Sequence, residues 1–159
     1  MNRLIATIER RPITVDDDDV ISYIAKAAID SDGDPLNRHH DPCWQPDTSL
    51  HFHGKPINAE EVPYCVVPPA IIQGVRPVVL GSKVVMTNLH TGAVVWGVVA
   101  DVGPRRKLGE ISCEAARRLG LDGNPNHGGT DECIIRYEIW AGEPAVVDGI
   151  TYALQPYRV

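Results

Sequence analysis

The sequence predicts a mainly β domain with one or two flanking helices. Many short runs of valine and isoleucine are separated by turn residues, and the chain contains 14 glycines and 13 prolines. Such frequent turn residues are typical of a protein built from short strands. A length of 159 residues with 43% apolar residues is enough to bury one core. We find no repeat and no linker, so we expect a single domain over residues 1–159.

The first predicted element is a helix over Thr14–Ile29. Thr14 can act as its N-cap, and the acidic run at 16–19 would face the positive end of the helix dipole. Apolar residues then follow at helical spacing. They are Val20, Ile21, Ile24 and Ala28.

The rest of the chain is predicted as strands, one further helix and loops. Residues 35–60 are proline-rich and are expected to form loops, Asn88–Gly92 is typical of a hairpin turn, and Ser112–Leu121 is predicted to be a short helix. The predicted strands are Tyr64–Val67, Val78–Val79, Lys83–Thr87, Val94–Ala100, Cys133–Trp140 and Ile150–Leu154.

Charge and hydropathy bear on the possible partners. The net charge is −6 with a pI near 5.4, and no basic stripe is present, so we expect no nucleic-acid binding. An acidic surface suits a cationic polymer. No stretch approaches 18 apolar residues, so we expect no membrane span, and the apolar run near the N-terminus is too short for a secretory signal.

Three patterns could be metal sites, but none has the ligand spacing of a known one, and we expect no metal and no cofactor. The four cysteines are widely spaced without a C-x-x-C pair, which leaves both disulfides and free thiols possible. Asp30–Asp34 resembles the start of a calcium loop, but Gly33 comes too early and Asp41 stands where a glutamate is needed. The third pattern is a group of histidines with one cysteine: His39, His40, Cys43, His51 and His53. Zinc binding is an alternative for this group, although we expect its histidines to form hydrogen bonds within the loop.

The most informative feature is a pair of acids, Asp101 and Glu110. Asp101 ends an apolar strand, and Glu110 follows nine residues later, just before a predicted helix. The Gly103-Pro104 turn between them allows the chain to fold back. Two carboxylates roughly 6.5–9.5 Å apart, one protonated and one ionised, are what inverting glycoside hydrolysis requires. The basic run at 105–107 could keep one of the two ionised.

Nucleophilic catalysis is the main chemical rival. A serine hydrolase is disfavoured because the chain has no Gly-x-Ser-x-Gly motif. Cys113 near a helix start, with His127 further along the chain, leaves a cysteine amidase as an alternative.

Three stretches of the chain together resemble glycoside hydrolase family 75, the endo-chitosanases. The first contains Val95–Pro104 followed by Gly109-Glu110-Ile-Ser112, and the others are the early acidic loop at 29–37 and Asn124–Gly129. They occur in the family's order and fall within residues 20–142. The first stretch also resembles the second half of a double-psi β-barrel, as in expansins, family 45 endoglucanases and rare-lipoprotein-A-like proteins. The expected fold is therefore a double-psi-like barrel.

The resemblance implies an inverting, endo-acting glycoside hydrolase that cleaves β-1,4 linkages in chitosan or a related amino-sugar polymer. It implies that Asp101 and Glu110 are the catalytic acids, and we expect Glu110 to be the general acid and Asp101 the base. Such an enzyme would act in an extracellular or periplasmic space. The alternatives are a peptidoglycan glycosidase, such as a phage lysin or an antibacterial effector, and a non-catalytic expansin-like polysaccharide binder.

The substrate-binding residues are expected outside the catalytic pair. Asp30, Asp32 and Asp34 would bind the ammonium groups of glucosamine. Trp44 offers a flat ring on which a sugar can stack, whereas Trp96, inside an apolar strand, is expected mainly to be part of the core.

Overall fold

The computed structural model describes residues 1–74 and 79–157, and strands dominate both parts. The strands are β1 (Arg3–Ile8), β2 (Arg11–Val15), β3 (Val20–Asp30), β4 (His51–Phe52), β5 (Lys55–Pro56), β6 (Tyr64–Val67), β7 (Ser82–Asn88), β8 (Val94–Val102), β9 (Glu110–Ser112), β10 (Thr130–Pro144), β11 (Val146–Val147) and β12 (Ile150–Thr151). The helices are α1 (Pro69–Gly74) and α2 (Cys113–Arg118).

Six strands form a closed barrel in the order β3-β10-β7-β8-β6-β9, and β9 pairs back with β3. The pairs β6–β8 and β3–β9 are parallel, and the other pairs in the ring are antiparallel. Strands β2 and β1 continue the sheet outward from β3. The predicted mainly β, barrel-like fold with one or two helices is therefore confirmed.

The predicted first helix is wrong, because Thr14–Ile29 forms the end of β2, a turn and most of β3. Asp16 holds the turn, since its Oδ1 accepts hydrogen bonds from the backbone N–H groups of Asp18 and Val20. The odd-numbered residues of β3 face the core, in the alternating pattern of a strand. They are Ile21, Tyr23, Ala25 and Ala27. This alternation and the β-branched side chains outweigh the coincidental helical spacing.

Most of the other predicted elements are confirmed, with shifted ends. The strands predicted within β6, β7, β8 and β10 are present, and Asn88–Gly92 connects β7 to β8 as a hairpin turn. The second helix is shorter than predicted and has Ser112 as its N-cap. The last predicted strand shortens to β12. Val79 is buried outside any strand, and Val78 lies outside the described residues.

One continuous hydrophobic cluster fills the barrel. Tyr23 and Tyr137 stack within it at a ring separation of 4.8 Å, and Tyr64 is fully buried. All four cysteines are free thiols, so packing and hydrogen bonds hold this fold together without a disulfide. Within residues 1–74 and 79–157, no helix is long and apolar enough to cross a lipid bilayer.

Candidate active site

Three neighbouring strands bring Asp101 and Glu110 to the same surface. Val66 of β6 pairs with Asp101 of β8 on one side and with Glu110 of β9 on the other. Strands two apart in a sheet are separated by about 10 Å, and directly paired residues point to the same face. The two acids therefore face the same way across one intervening strand.

Both acids line a cleft of about 310 Å³. Gly103 forms part of its wall, and a Cβ atom there would lie 3.0 Å from Val66 Cγ1 and 3.4 Å from Glu110 Oε1. The glycine therefore leaves room beside the Glu110 carboxyl group. The charged residues of the lining are Asp30, Asp32, Asp41, Asp101, Lys107 and Glu110.

Asp101 is firmly held through one carboxylate oxygen. Its Oδ1 accepts hydrogen bonds from Ser49 N (3.1 Å), Ser49 Oγ (2.9 Å) and its neighbour Val102 N (3.1 Å). Burial raises the pKa of Asp101, and the hydrogen bonds from Ser49 and Val102 oppose that rise because they stabilise the ionised form. This carboxyl group therefore has a fixed orientation and a set of donors that favour its anion.

The loop carrying Ser49 is docked against the end of β8. Leu50 N donates to Ala100 O at 2.9 Å, and Gln155 Nε2 donates to Ser49 O at 2.7 Å. These contacts place a residue 52 positions away in sequence against Asp101. Sequence reasoning missed Ser49, because no local pattern around a single loop serine indicates such a contact.

Glu110 has a different environment. Within the described parts of the chain, no group donates a hydrogen bond to its carboxyl oxygens, and burial raises its pKa. The charge of Lys107 opposes this rise. Of the predicted basic run, only Lys107 lines the cleft, and Arg105 and Arg106 are exposed. The pKa values of Asp101 and Glu110 are therefore both raised by burial, and the two acids differ in that hydrogen bonds oppose this rise at Asp101 whereas the charge of Lys107 opposes it at Glu110.

Asp30 and Asp32 extend the acidic cluster around Asp101. One oxygen from each of the three carboxyl groups lies within 4.8 Å of the other two. Asp30 Oδ1 accepts a hydrogen bond from Asp32 N, and Asp32 Oδ1 accepts one from Gln45 N, both at 2.8 Å. Repulsion between carboxylates this close opposes the ionisation of all three at once and favours a proton shared within the cluster.

The pKa values in this cluster follow from its crowding. Burial, together with the nearby charges of Asp32 and Asp101, raises the pKa of Asp30 well above its usual range. Burial and the charge of Asp101 raise the pKa of Asp32 to about 7, against the lowering effect of the Gln45 hydrogen bond. The two residues expected to bind substrate therefore lie directly beside one of the expected catalytic acids.

Asp34 and Trp44, also expected to bind substrate, lie outside the cleft lining. Asp34 is fully buried, and its carboxylate accepts hydrogen bonds from the backbone of Leu36 and from both the backbone and the guanidinium of Arg38. Trp44 is half-buried and donates from Nε1 to Asp34 O at 2.8 Å. Both side chains hold the loop after β3 in shape.

Trp96 was expected to be a core residue, and this expectation is wrong. The register of β8 places its side chain on the outer face of the barrel, where 56% of the residue is exposed. Lys83 Nζ lies 4.5 Å from the ring centroids of both Trp96 and Trp140. A cation–π contact therefore covers part of this aromatic surface.

The alternative cysteine amidase is not supported by the geometry. Cys113 is fully buried, and burial raises the pKa of its thiol to about 12, so the thiolate nucleophile is disfavoured. His127 is exposed, and its Nδ1 lies 3.1 Å from Asp122 Oδ2. Cys113 and His127 thus have other partners.

The histidine-rich segment does not assemble as one metal site. Among the described residues, His40, His51, His53 and Cys43 belong to no group of metal-ligating atoms, and His51 Nε2 instead lies 2.6 Å from Asp47 Oδ1. His39 is different, because it meets Glu60 and Cys113.

Comparisons with known proteins do not identify a family for this chain. No protein-family model and no curated protein matches it.

Proposed function

We propose that this protein is an endo-acting, inverting glycoside hydrolase that cleaves β-1,4 linkages in chitosan or a related amino-sugar polymer. The observation that carries this proposal is the shared register of Asp101 and Glu110 on either side of Val66, with both side chains lining one cleft. A strand-to-strand spacing of about 10 Å between their backbones is compatible with the carboxyl separation of roughly 6.5–9.5 Å that admits a water molecule.

The surroundings of the two acids support distinct roles. Glu110, half-buried and without a hydrogen-bond donor among the described residues, would carry the proton that is given to the leaving glycosidic oxygen. Asp101, held by Ser49 and Val102, would be the anion that removes a proton from the attacking water. Water then adds to the anomeric carbon from the face opposite the leaving group, so the configuration inverts.

The charge of the cleft supports a cationic substrate. Five carboxyl groups and one lysine line it, so that even with one proton on Glu110 and one shared within the cluster of Asp30, Asp32 and Asp101 the carboxylates outnumber the lysine. The whole chain has a net charge of −6. A polymer of glucosamine carries ammonium groups that an acidic cleft attracts. The resemblance of the segments around Asp101 and Glu110 to the endo-chitosanases agrees with this choice.

The decisive experiment measures turnover on chitosan by the parent and by Asp101→Asn and Glu110→Gln variants. Each variant should lose at least about a hundredfold in turnover, because general acid–base catalysis contributes about 10²–10⁴-fold. Asp131→Asn and Glu132→Gln make the same chemical changes on exposed residues of β10 and should stay near the parent rate. Turnover within a few-fold of the parent in either cleft variant would remove that residue from the mechanism.

The products and the choice of polymer test the rest of the proposal. Proton resonance should detect the α-anomer first, and an initial β-anomer would indicate retention and a closer pair of carboxyl groups. A parallel assay on purified cell walls separates a chitosanase from a peptidoglycan glycosidase. Binding to either polymer without cleavage would indicate the expansin-like alternative.

A further inference from the structure

A second group of chemically reactive side chains lies outside the cleft lining. His39 from the loop after β3, Glu60 from the loop before β6 and Cys113 at the start of α2 converge there. One ligand atom from each of these residues lies within 4.8 Å of the other two, and His39 Nε2 is in direct contact with Glu60 Oε1. We refer to these three residues as the HEC cluster.

Contacts around the HEC cluster orient two of its members while leaving the donor atoms facing one another. Arg117 binds Glu60 Oε2 at 2.7 Å and Glu60 O at 2.9 Å, so Oε1 is the oxygen turned toward His39. Asn126 Nδ2 donates to His39 O at 2.7 Å and fixes the loop on that side. Outer contacts of this kind orient the ligands of metal ions in proteins.

The donor set is suited to one class of metal ion. Calcium and magnesium take oxygen ligands, whereas a combination of imidazole nitrogen, carboxylate oxygen and thiolate sulfur suits zinc. In a tetrahedral zinc site, bond lengths of about 2.0–2.3 Å place the ligand atoms about 3.3–3.8 Å apart. The HEC donor atoms already lie within 4.8 Å of one another, so zinc would enter between His39 Nε2 and Glu60 Oε1, which are in direct contact, and would move these two atoms apart.

We propose that the HEC cluster is a Zn²⁺ site with His39, Glu60 and Cys113 as its protein ligands and water in the fourth position. Zinc would replace the proton of the Cys113 thiol, which passes to solvent, and would bind the His39 imidazole in its neutral form. The charges of the carboxylate and the thiolate then balance that of the ion.

Such an ion would connect three segments that no disulfide joins. Cys113 Sγ also donates to Asp30 O at 3.8 Å, so the cluster lies directly behind the acidic loop of the cleft. Bound zinc would fix this loop and the start of α2 to each other. The site is independent of the proposed hydrolase activity, because it uses none of the cleft carboxyl groups.

Cobalt spectroscopy tests the site without an activity assay. The full-length protein is treated with a chelator and titrated with Co²⁺, and the near-ultraviolet thiolate-to-cobalt absorption is followed together with the visible bands of tetrahedral cobalt. We expect saturation at one equivalent and bleaching of the bands by one equivalent of Zn²⁺. The absence of a thiolate-to-cobalt band in the parent protein would overturn the proposal.

Variants assign the ligands. Cys113→Ser should abolish the thiolate band, and His39→Gln should weaken cobalt affinity at least tenfold. Cys43→Ser and Cys133→Ser remove exposed thiols and should leave the spectrum unchanged. If circular dichroism shows that Cys113→Ser does not fold, the His39→Gln variant decides, because His39 is partly exposed and its replacement should not disturb folding. The assignment would be contradicted if the thiolate band survived in Cys113→Ser or disappeared in Cys43→Ser or Cys133→Ser. Unchanged cobalt affinity in His39→Gln would also contradict it.

Discussion

At the scale of single residues, the candidate site depends on how differently two similar side chains are surrounded. Asp101 and Glu110 are both removed from water, which by itself favours their neutral forms. Among the described residues, Ser49 and Val102 donate hydrogen bonds that stabilise the Asp101 anion, and Glu110 receives no such bond. The proposed assignment of Glu110 as the acid and Asp101 as the base therefore rests on their hydrogen-bond partners more than on their burial.

Replacement of Ser49 by alanine tests the stabilisation of the Asp101 anion. Loss of the hydroxyl donor should raise the pKa of Asp101 further, because this hydrogen bond stabilises the ionised carboxylate. The acidic limb of the pH–turnover profile should therefore move to higher pH. Ser49→Thr keeps the hydroxyl and should restore the parent profile, whereas an unchanged profile in Ser49→Ala would exclude this role.

Replacement of Asp32 by asparagine tests the shared proton. The pKa of Asp32 is raised from 3.8 to about 7 in the folded protein, so the folded state binds this proton more tightly than the unfolded chain does. The resulting stabilisation is complete below the unfolded pKa and is lost as the pH rises toward about 7. In Asp32→Asn the free energy of unfolding, from urea titrations, should therefore fall less between pH 3.8 and about 7. Parallel pH dependences in variant and parent would contradict the raised pKa.

At the scale of elements, the short strand β9 decides where Glu110 lies. Only three residues long, it is paired with β3 on one side and β6 on the other. Gly109 immediately precedes this strand with φ of +87°, and a Cβ atom there would lie 2.1 Å from Lys26 O. The close approach of β9 to β3 thus requires a glycine before Glu110.

Gly109→Ala should destabilise the protein through both backbone strain and overlap. We expect about 1–2 kcal/mol for an alanine in the left-handed region and about 1–3 kcal/mol more for the clash with β3. Gly92→Ala is the matched control, because Gly92 has φ of +79° but open space around its Cβ position. Urea unfolding should show a clearly larger loss for Gly109→Ala, and equal losses would mean that β9 does not pack this closely.

At the scale of the whole molecule, the closing of the barrel is what assembles the candidate active site. Strand β9 completes the ring between β6 and β3, and this closure brings Glu110 opposite Asp101. Ser112 secures the junction. Its buried Oγ accepts hydrogen bonds from Tyr64 N and Ala115 N and donates to Val62 O. One hydroxyl group therefore links β6, the end of β9 and α2.

Ser112→Ala should weaken the closed barrel. Loss of the N-cap costs about 0.5–2 kcal/mol, and leaving buried backbone groups without a partner costs about 1–3 kcal/mol each. Thr91→Ala removes a similar hydroxyl contact, to Ala93 N, from an exposed turn and should change stability by less than about 0.5 kcal/mol. A stability loss no greater than that of Thr91→Ala, measured by thermal unfolding, would contradict this role.

The sequence predicted those parts of the molecule that depend on local patterns. Short apolar runs separated by turn residues predicted the β-rich fold, the hairpin at 88–92 and the strands around it, and a short helix was predicted at 112–121, where α2 lies. The early acidic run misled the prediction of the first helix, because aspartates that suit a helix start also suit the tight turn between β2 and β3. The acidic run fits both cases, and the alternation of core-facing residues along β3 together with its pairing with β10 decides for the strand.

Tertiary structure alone decided which distant residues meet. Nothing in the spacing of Asp101 and Glu110 fixes their separation, which depends on β6 lying between their strands. Ser49 beside Asp101, and His39 beside Glu60 and Cys113, likewise come from segments far apart in the chain. The sequence by itself therefore determined the fold class and indicated the two candidate acids, because local patterns of neighbouring residues carry the information for each. Their surroundings, and hence their protonation, arise only when the barrel closes.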